Sequence, residues 1–484
     1  MFAINVQTFA QEDGNTDGGE GFGDFDFADG LDTESALNAF LGYSKIGDQN
    51  FIGMRIRPDF SFGKLGIGMN IPLMFNLETG KFRTDEFKDG VGLLRMIDYL
   101  RWGVKKRDPV YIKVGTMTDE WIGYGMLLDN YTNAYSYDKR KIGVSFDILV
   151  KNFFGLEGLY SDFDMSSFNL LALRPYIKPF GSTKIPIIKT MDIGFTYVTD
   201  NDNTQIGGEK QNLYIEAGQK AWAADIGVMP LNRSFMQLKV YAQYGELLKN
   251  ESELLKDTLN KLADILRATG QDSDHPLIKG NDVAGENNYD SGNGFSVGAD
   301  FRFNFGAKTI QLRARIERLW FTEFFSPQFY DGDYEANKDT KLIELANTDG
   351  KKGIYGSLTA VALEKVLVGG ALMIPDNVSE TAPATLALHF DASKMFEKFE
   401  IRGQYVKGGL TNLGDAFKFD ERSLASVRVA YKMYRFILAG IDYRWTWSEQ
   451  SDGEFKVGNY ISPYVGFSMP LSFGSGNDPI DFDD

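Results

Sequence analysis

The chain has 484 residues, of which 52 are Gly, 38 Phe and 23 Tyr, and its formal net charge is −16 at pH 7. This acidic balance argues against a nucleic-acid partner, because neutralising phosphate groups requires a basic face. The absence of Cys excludes a disulfide framework, a zinc–thiolate site and a cysteine nucleophile. No apolar run reaches the roughly 18 to 20 residues of a membrane helix, whereas the strands of a membrane barrel need only about 9 to 11 residues of alternating character.

The two ends of the chain differ in composition from the rest. Residues 1–10, MFAINVQTFA, resemble the rear of a secretion signal, with an apolar stub and a small-x-small pattern at Thr8-Phe9-Ala10 but no basic segment. Residues 11–35 are acidic and Gly-rich, a composition typical of disorder, and residues 474–484 form an acidic tail. One β-rich domain over residues 36–473 is therefore predicted between these segments.

Alternation of apolar and polar residues, which is typical of strands, recurs through this domain. The segment IQLRARIE, residues 310–317, places Arg313 and Arg315 on the face opposite its Ile, Leu and Ala residues, and segments 52–60, 295–305, 437–447 and 461–473 alternate in the same way. An Arg side chain facing lipid at the bilayer midplane costs about 2 to 4 kcal/mol. The apolar rows are therefore predicted to face lipid and the Arg rows to face a lumen.

The stretch KLGIGMNIPLMFN, residues 64–76, predicts one long strand of such a wall. Its alternate Leu, Ile, Met and Phe residues form the lipid row, with small and polar residues opposite. Pro72 lacks a backbone N–H. We therefore expect one of three features there: a bulge, a position where strand pairing stops, or an outer strand end that no longer pairs with the neighbouring strand.

The connections between segments alternate between two kinds. Short turns carry Lys or Arg with aromatic or turn residues, as in 60–64, 104–109, 150–155, 231–235, 305–309, 363–366 and 432–436; long connections are mostly acidic and polar, as in 77–92, 118–138, 245–291, 320–350 and 411–421. This alternation is typical of an up-and-down barrel and gives about twenty strands, with eighteen or twenty-two as alternatives. A soluble β-sandwich is the competing fold, although its loops need not alternate in length.

Aromatic residues near strand ends then indicate interfacial girdles, and they include Phe60, Trp102, Tyr244, Trp445, Trp447 and Phe473. With these features the chain resembles the outer-membrane β-barrel proteins of Gram-negative bacteria, porin-like ones in particular. The tail after Phe473 departs from this pattern, because such barrels often end on the terminal aromatic residue.

The resemblance implies an all-β, transmembrane antiparallel up-and-down β-barrel with short periplasmic turns, long extracellular loops and one loop helix, located in the bacterial outer membrane. It also implies contact with outer-membrane lipid, with small hydrophilic solutes and with the outer-membrane assembly machinery, and it allows a homo-oligomer.

The predicted inward rows carry both signs of charge. The candidate channel-lining residues are Arg55, Arg57, Asp59, Arg101, Asp300, Arg302, Arg313, Arg315, Glu317, Arg402, Arg428 and Arg444. One interpretation is that these charges pair across strands and keep the pore wet. The other is that the Arg groups form a positive constriction that favours anionic or polyhydroxylated solutes.

One long connection predicts a helix. Residues 250–270 open with an Asn250–Glu253 capping box, carry a Leu/Ile stripe and end at Gly270. Such a helix is expected to act as a lid, to narrow the lumen, or to pack on neighbouring outer loops.

Other motifs carry weaker hypotheses. The aromatic residues of 318–335 predict girdle and loop packing, with stacking on sugars as the alternative, and the acid clusters 200–203 and 331–335 are predicted to be solvated rather than to bind Ca²⁺. The Gly-x-Ser-x-Gly match at Ser296 falls in an uninterrupted strand, and His275 and His389 lack a nucleophile pattern. We therefore expect no enzyme, no metal site and no cofactor.

The sequence thus predicts a porin-like channel for passive or weakly selective diffusion through an Arg-lined lumen. The alternative is a sealed structural or interaction barrel that binds periplasmic or surface partners.

Overall fold

A computed structural model describes most of the chain. It covers residues 36–46, 49–84, 87, 96–118, 120–133, 141–164, 170–202, 205–208, 213–250, 261, 289–306, 309–380, 382–420, 422–434, 437–449 and 455–470. The predictions for residues 1–35, for Phe473 and for the tail 474–484 fall outside this part. So does the helix predicted over 250–270, apart from Asn250 and from Lys261, which is helical.

The described residues are mostly strands. The first thirteen are β1 (Ala36–Ile46), β2 (Gln49–Phe62), β3 (Leu65–Met69), β4 (Ile71–Asn76), β5 (Ile97–Trp102), β6 (Val110–Gly115), β7 (Gly143–Val150), β8 (Phe154–Tyr160), β9 (Leu170–Ile177), β10 (Asp192–Asp200), β11 (Gln205–Gly208), β12 (Leu213–Glu216) and β13 (Lys220–Arg233). The others are β14 (Met236–Leu247), β15 (Gly292–Phe305), β16 (Ile310–Phe321), β17 (Lys351–Ala362), β18 (Val366–Pro375), β19 (Ala384–Asp391), β20 (Phe399–Leu410), β21 (Ser423–Tyr434), β22 (Ile437–Glu449) and β23 (Phe455–Pro470).

All strands except β11 and β12 belong to one antiparallel, 21-stranded sheet in which neighbours in sequence are neighbours in space. The first strand pairs with the last, from Ala36↔Pro470 to Leu41↔Val465, so the sheet closes on itself. Strands β3 and β4 both pair with β2 and together occupy one position in the wall. The 21 strands therefore make a barrel of twenty wall positions, as the alternating connections predict.

The strand predicted over residues 64–76 is broken at Asn70 into β3 and β4. Strand β3 continues the wall to β5, whereas Pro72 in β4 lies opposite Arg55 of β2 and β4 has no described pairing with β5. The far edge of β4 instead receives the local turn at Phe82, with Arg83 N donating to Met74 O at 2.8 Å. The lack of a described pairing between β4 and β5 agrees with the missing N–H of Pro72, which cannot donate to a neighbouring strand.

The two faces of the wall differ in chemistry. The apolar rows point outward and remain exposed, as at Ile316 and Ile441, which are 52% and 49% exposed. Predicted girdle residues Trp102, Tyr244 and Trp445 stand in these outward rows near strand ends, and further outward pairs stack at the same levels, such as Phe295 with Trp320 at 5.5 Å. The wall therefore presents to its surroundings an apolar belt bordered by aromatic rings.

One α-helix, α1 (Tyr334–Ala346), stands in the connection between β16 and β17, where the sequence analysis predicted no helix. Its buried positions Tyr334, Lys338, Leu342 and Leu345 form a stripe with helical spacing. No helix in the described residues is long and apolar enough to cross a membrane.

Candidate functional site

The interior of the barrel holds the candidate site. A closed antiparallel barrel with an apolar exterior and a charged interior defines a transmembrane β-barrel of the bacterial outer-membrane type, since closure satisfies every backbone hydrogen bond in lipid. What the interior can do depends on which charges meet there and on how much space remains.

Most of the predicted channel-lining residues lie near a side chain of opposite charge, on the same strand or on another one. Asp300 is approached by Arg313 at 2.8 Å and by Arg302 at 3.8 Å, and Arg315 pairs with Glu317 on its own strand. This arrangement matches the interpretation in which wall charges of opposite sign neutralise one another.

The remaining predicted residues line the opposite part of the wall. Arg402 lies 3.2 Å from Asp391, Arg428 lies 3.0 Å from Asp442, and Arg57 lies 3.4 Å from Asp98. The Asp59 carboxylate accepts a hydrogen bond from Tyr99 Oη at 2.7 Å. Arg101 donates to Gly103 O at 3.3 Å, Arg444 lies in register with Ser426 and Tyr460, and Arg55 lies in register with Phe40 and Pro72.

Two connections predicted as outer polar loops instead enter the lumen, and this prediction is corrected. Residues 120–133 and residues 322–350, which we call the plug, pack on each other through Gln328 N to Met126 O at 2.8 Å and Tyr330 N to Leu127 O at 3.0 Å. Their apolar side chains and inward residues of β8 to β10, β13, β14, β16, β18 and β19 form one buried cluster, including Leu127, Leu128, Tyr131, Phe325, Phe329 and Tyr330. The loop-packing interpretation of the aromatic segment is thus confirmed for Phe325, Phe329 and Tyr330.

The first plug segment reaches the turn between β5 and β6, at the short-turn end of the barrel. Lys105 of that turn donates to Trp121 O and lies 3.5 Å from the Glu120 carboxylate. Burial disfavours the charged carboxylate, but Lys105 and Lys113 outweigh it and hold the pKa of Glu120 below its ordinary value. The segment is therefore fixed at this end by a buried ion pair.

A charged cluster on the wall holds the middle of the same segment. Arg174 lies 3.4 Å from Glu157 and 3.2 Å from Asp192 and also forms an ion pair with Asp225. Gly123 N donates to Glu157 at 3.3 Å and Tyr124 Oη donates to Asp192 at 2.6 Å, so the segment bonds directly to the cluster. Sequence reasoning missed Arg174, Glu157 and Asp192.

The second plug segment is fixed through α1. Tyr334 Oη donates to Asp200 at 2.7 Å, and Lys338 Nζ lies 2.7 Å from Asp200 and 2.9 Å from Asp202. Glu335 accepts from Lys141 Nζ at 2.7 Å, yet burial is the larger effect and raises the pKa of Glu335.

The prediction that the acid clusters 200–203 and 331–335 are solvated is therefore wrong for three of their members. Asp200, Asp331 and Glu335 are buried, and each is paired with a Lys side chain. Burial of a carboxylate is tolerated where a cation and hydrogen bonds accompany it.

The plug divides the lumen unequally. The charged side chains beside the plug are almost completely buried: the side chain of Arg174 is 1% exposed and that of Glu157 is 0% exposed. On the opposite arc, formed by β20 to β23 and β1 to β5, Arg57 and Arg428 keep 25% and 21% of their side chains exposed. Accessible charge is therefore found on this arc and also at Arg313 of β16, whose side chain is 40% exposed.

The two residues considered for catalysis lie in the wall. Ser296 is a fully buried, inward residue within β15, without the strand-to-helix turn of a nucleophile elbow. His389 faces inward on β19, in register with Gly369 and Gln404.

No protein-family model matches this sequence, and no curated protein matches it. Among solved structures, the chain is similar to OccK5 (OpdH) of Pseudomonas aeruginosa with 11% identity and a TM-score of 0.34, covering 92% of this chain and 100% of that one. It is similar to the outer-membrane protein OprD of the same species with 8% identity and a TM-score of 0.34, covering 92% and 96%.

A third similar structure is Wzi of Escherichia coli, an outer-membrane protein involved in group 1 capsule assembly and a carbohydrate-binding β-barrel. It has 10% identity and a TM-score of 0.32, and the match covers 92% of this chain and 86% of that one. At TM-scores this low the similarities carry no argument about function, and the fold assignment rests on the strand pairing and surface chemistry described above.

Proposed function

We propose that this protein is an outer-membrane channel for the diffusion of small hydrophilic solutes, narrowed by the plug to a passage whose wall includes β20 to β23, β1 to β5 and Arg313 of β16. The observation that supports this proposal is that luminal charges are buried at Arg174 but accessible at Arg57, Arg428 and Arg313. Partly hydrated charges are what a water-filled passage requires of its wall.

The passage is weakly selective for anions or polyhydroxylated solutes. Its accessible cations Arg57, Arg402 and Arg428 are guanidinium groups with several donors each, and each keeps a wall carboxylate nearby that reduces its net field. A wall with paired charges orients polar solutes without holding them tightly, so diffusion remains passive.

Single-channel conductance in planar bilayers tests this proposal. We expect stable conductance steps, and we expect the double substitution Arg402→Gln with Arg428→Gln to move the reversal potential in a salt gradient toward cation preference. Arg318→Gln is the matched control, because this Arg pairs with Asp376 outside the lumen. An unchanged reversal potential in the double variant would contradict an Arg-lined passage.

A second function, a sealed structural or interaction barrel, has its own support in the apolar cluster. Leu128, Tyr131, Tyr330 and Tyr334 are buried side chains packed inside the wall, as in a solid core. Absence of conductance steps from protein that is folded in the bilayer would favour this alternative over the channel.

A further inference from the structure

The connection between β20 and β21 carries the most exposed apolar side chains of the described residues. It begins with a 3₁₀ helix, Leu413–Phe417, and we call residues 411–420 the strap. Leu413 and Phe417 are 85% and 83% exposed, far more than the apolar residues of the wall itself. Exposed apolar groups on a fixed surface indicate that something apolar covers them.

The strap is held in one conformation by its own polar groups. The Asp415 carboxylate accepts from Thr411 N at 2.9 Å, Thr411 Oγ1 at 2.7 Å and Asn412 Nδ2 at 2.9 Å. Asn412 Oδ1 accepts from Gly414 N at 2.9 Å, and Asn412 N donates to the Asp415 carboxylate at 3.1 Å as part of a capping box. These hydrogen bonds therefore fix the conformation in which Leu413 and Phe417 are exposed.

The strap lies on the outer face of the barrel wall and not over the lumen. Tyr405 belongs to an outward row, because it lies in register with the exposed Leu388. Its hydroxyl donates to Ala416 O at 2.7 Å, and its ring packs edge-to-face on Phe419 with centroids 5.8 Å apart. Both contacts tie the strap to lipid-facing atoms.

A buried ion pair supports the same placement. Lys407 lies in register with Leu386 and therefore on the lipid-facing side of β20, yet its side chain is buried and pairs with Asp420 of the strap. A buried cation on the lipid-facing side of a strand is costly unless it is neutralised. The strap supplies the neutralising carboxylate.

The level of the strap along the barrel is set by strand register. Tyr405 lies opposite Ala425, and Ala425 lies opposite Trp445 of the outer aromatic girdle. Tyr405, which contacts Ala416 and Phe419 of the strap, therefore lies close to the aromatic residues that mark the outer interface of the bilayer.

We propose that the strap is a membrane anchor, with Leu413 and Phe417 inserted among the lipids of the outer leaflet. The occupant is lipid because the apolar surface is continuous with the lipid-facing belt through Tyr405 and Phe419. Lys418, which is exposed beside Asp415, extends to the headgroup level.

The chain lacks Cys, so one nitroxide label can be placed at one engineered Cys. Phe417→Cys is labelled, refolded into phosphatidylcholine vesicles and measured by power-saturation electron paramagnetic resonance with oxygen and with a water-soluble nickel chelate. Ile441→Cys in the lipid-facing row and Val378→Cys in the outer connection between β18 and β19 are the references, and Leu413→Cys repeats the measurement if Phe417→Cys fails to fold.

If the strap is a membrane anchor, we expect the label at residue 417 or 413 to collide more often with oxygen than with the nickel chelate, as at residue 441. Preference for the chelate, as expected at residue 378, would overturn it. Dipolar broadening between labels of different molecules would overturn it in favour of a second copy of this chain as the occupant.

Discussion

Arg174 shows how single residues organise the lumen. Its guanidinium lies among Glu157, Asp192 and Asp225, and its planar set of donors suits several carboxylates at once. Removing one member of such a buried set leaves an uncompensated charge, at a cost of about 3 to 5 kcal/mol. The cluster therefore fixes the position of Tyr124 and Gly123, which bond to it.

Glu120 makes the plug sensitive to acid. Because the folded state lowers the pKa of Glu120, its stabilising contribution is present above the ordinary Glu pKa and is lost as pH falls through the lowered value. We expect Glu120→Gln to loosen the plug already at neutral pH and to reduce the change in conductance noise on acidification, measured in planar bilayers.

Glu335→Gln is the comparison variant for Glu120→Gln, because the pKa of Glu335 is shifted in the opposite direction. The folded state raises the pKa of Glu335, so the contribution of this group is present below the ordinary Glu pKa and is lost as pH rises through the raised value. Gln resembles the protonated form, and we expect little loosening at neutral pH. Equal effects of the two substitutions would contradict the opposite signs of the two pKa shifts.

At the scale of elements, the position of α1 depends on its contacts with Asp200 and Asp202 at the end of β10. Lys338 is the cation shared by Asp200 and Asp202. We expect Lys338→Met to release residues 322–350, because it leaves buried Asp200 without its cation. The measurement is protease cleavage within residues 322–350 together with single-channel conductance, and both should increase.

Two further variants make this test specific. Asp339→Asn, on the exposed side of the same helix, should leave cleavage and conductance unchanged. Adding Asp200→Asn to Lys338→Met should restore part of the protection, since it removes the unpaired charge. Normal protection in Lys338→Met alone would show that the apolar stripe of α1 is sufficient for docking.

Elements with strict alternation could be predicted from the sequence, whereas the plug could not. Arg313 and Arg315 fixed the faces of their strand because exposure of an Arg to lipid is so unfavourable. No comparable rule decides whether a connection lies outside or folds inward. Met126, Leu127 and Leu128 within a polar loop, and the helical spacing of Lys338, Leu342 and Leu345, were the available signals.

Pairing across distant elements was also beyond sequence reasoning. Lys105 and Glu120 stand in the connections before and after β6, and only the inward fold of the second connection brings their side chains to 3.5 Å. The candidate channel-lining set could be placed on the inward face, but which members stay accessible depends on the plug.

At the scale of the whole molecule, stability depends on keeping the two faces of the wall distinct. Leu388 faces lipid and His389 faces the lumen on the same strand. We expect Leu388→Arg to lower the free energy of unfolding by about 2 to 4 kcal/mol and His389→Arg to change it much less. Urea unfolding in phospholipid vesicles measures both; equal losses would contradict the assignment of faces.

The contact between the two plug segments has a consequence for how the chain assembles. Tyr131 bonds to Glu335, 204 residues later in the sequence, and Arg315 bonds to Tyr124 O, 191 residues earlier. Contacts between such distant positions form only after a large loop has closed, and they slow folding accordingly. We therefore expect the docking of residues 322–350 on residues 120–133 to be a late step in the folding of the barrel.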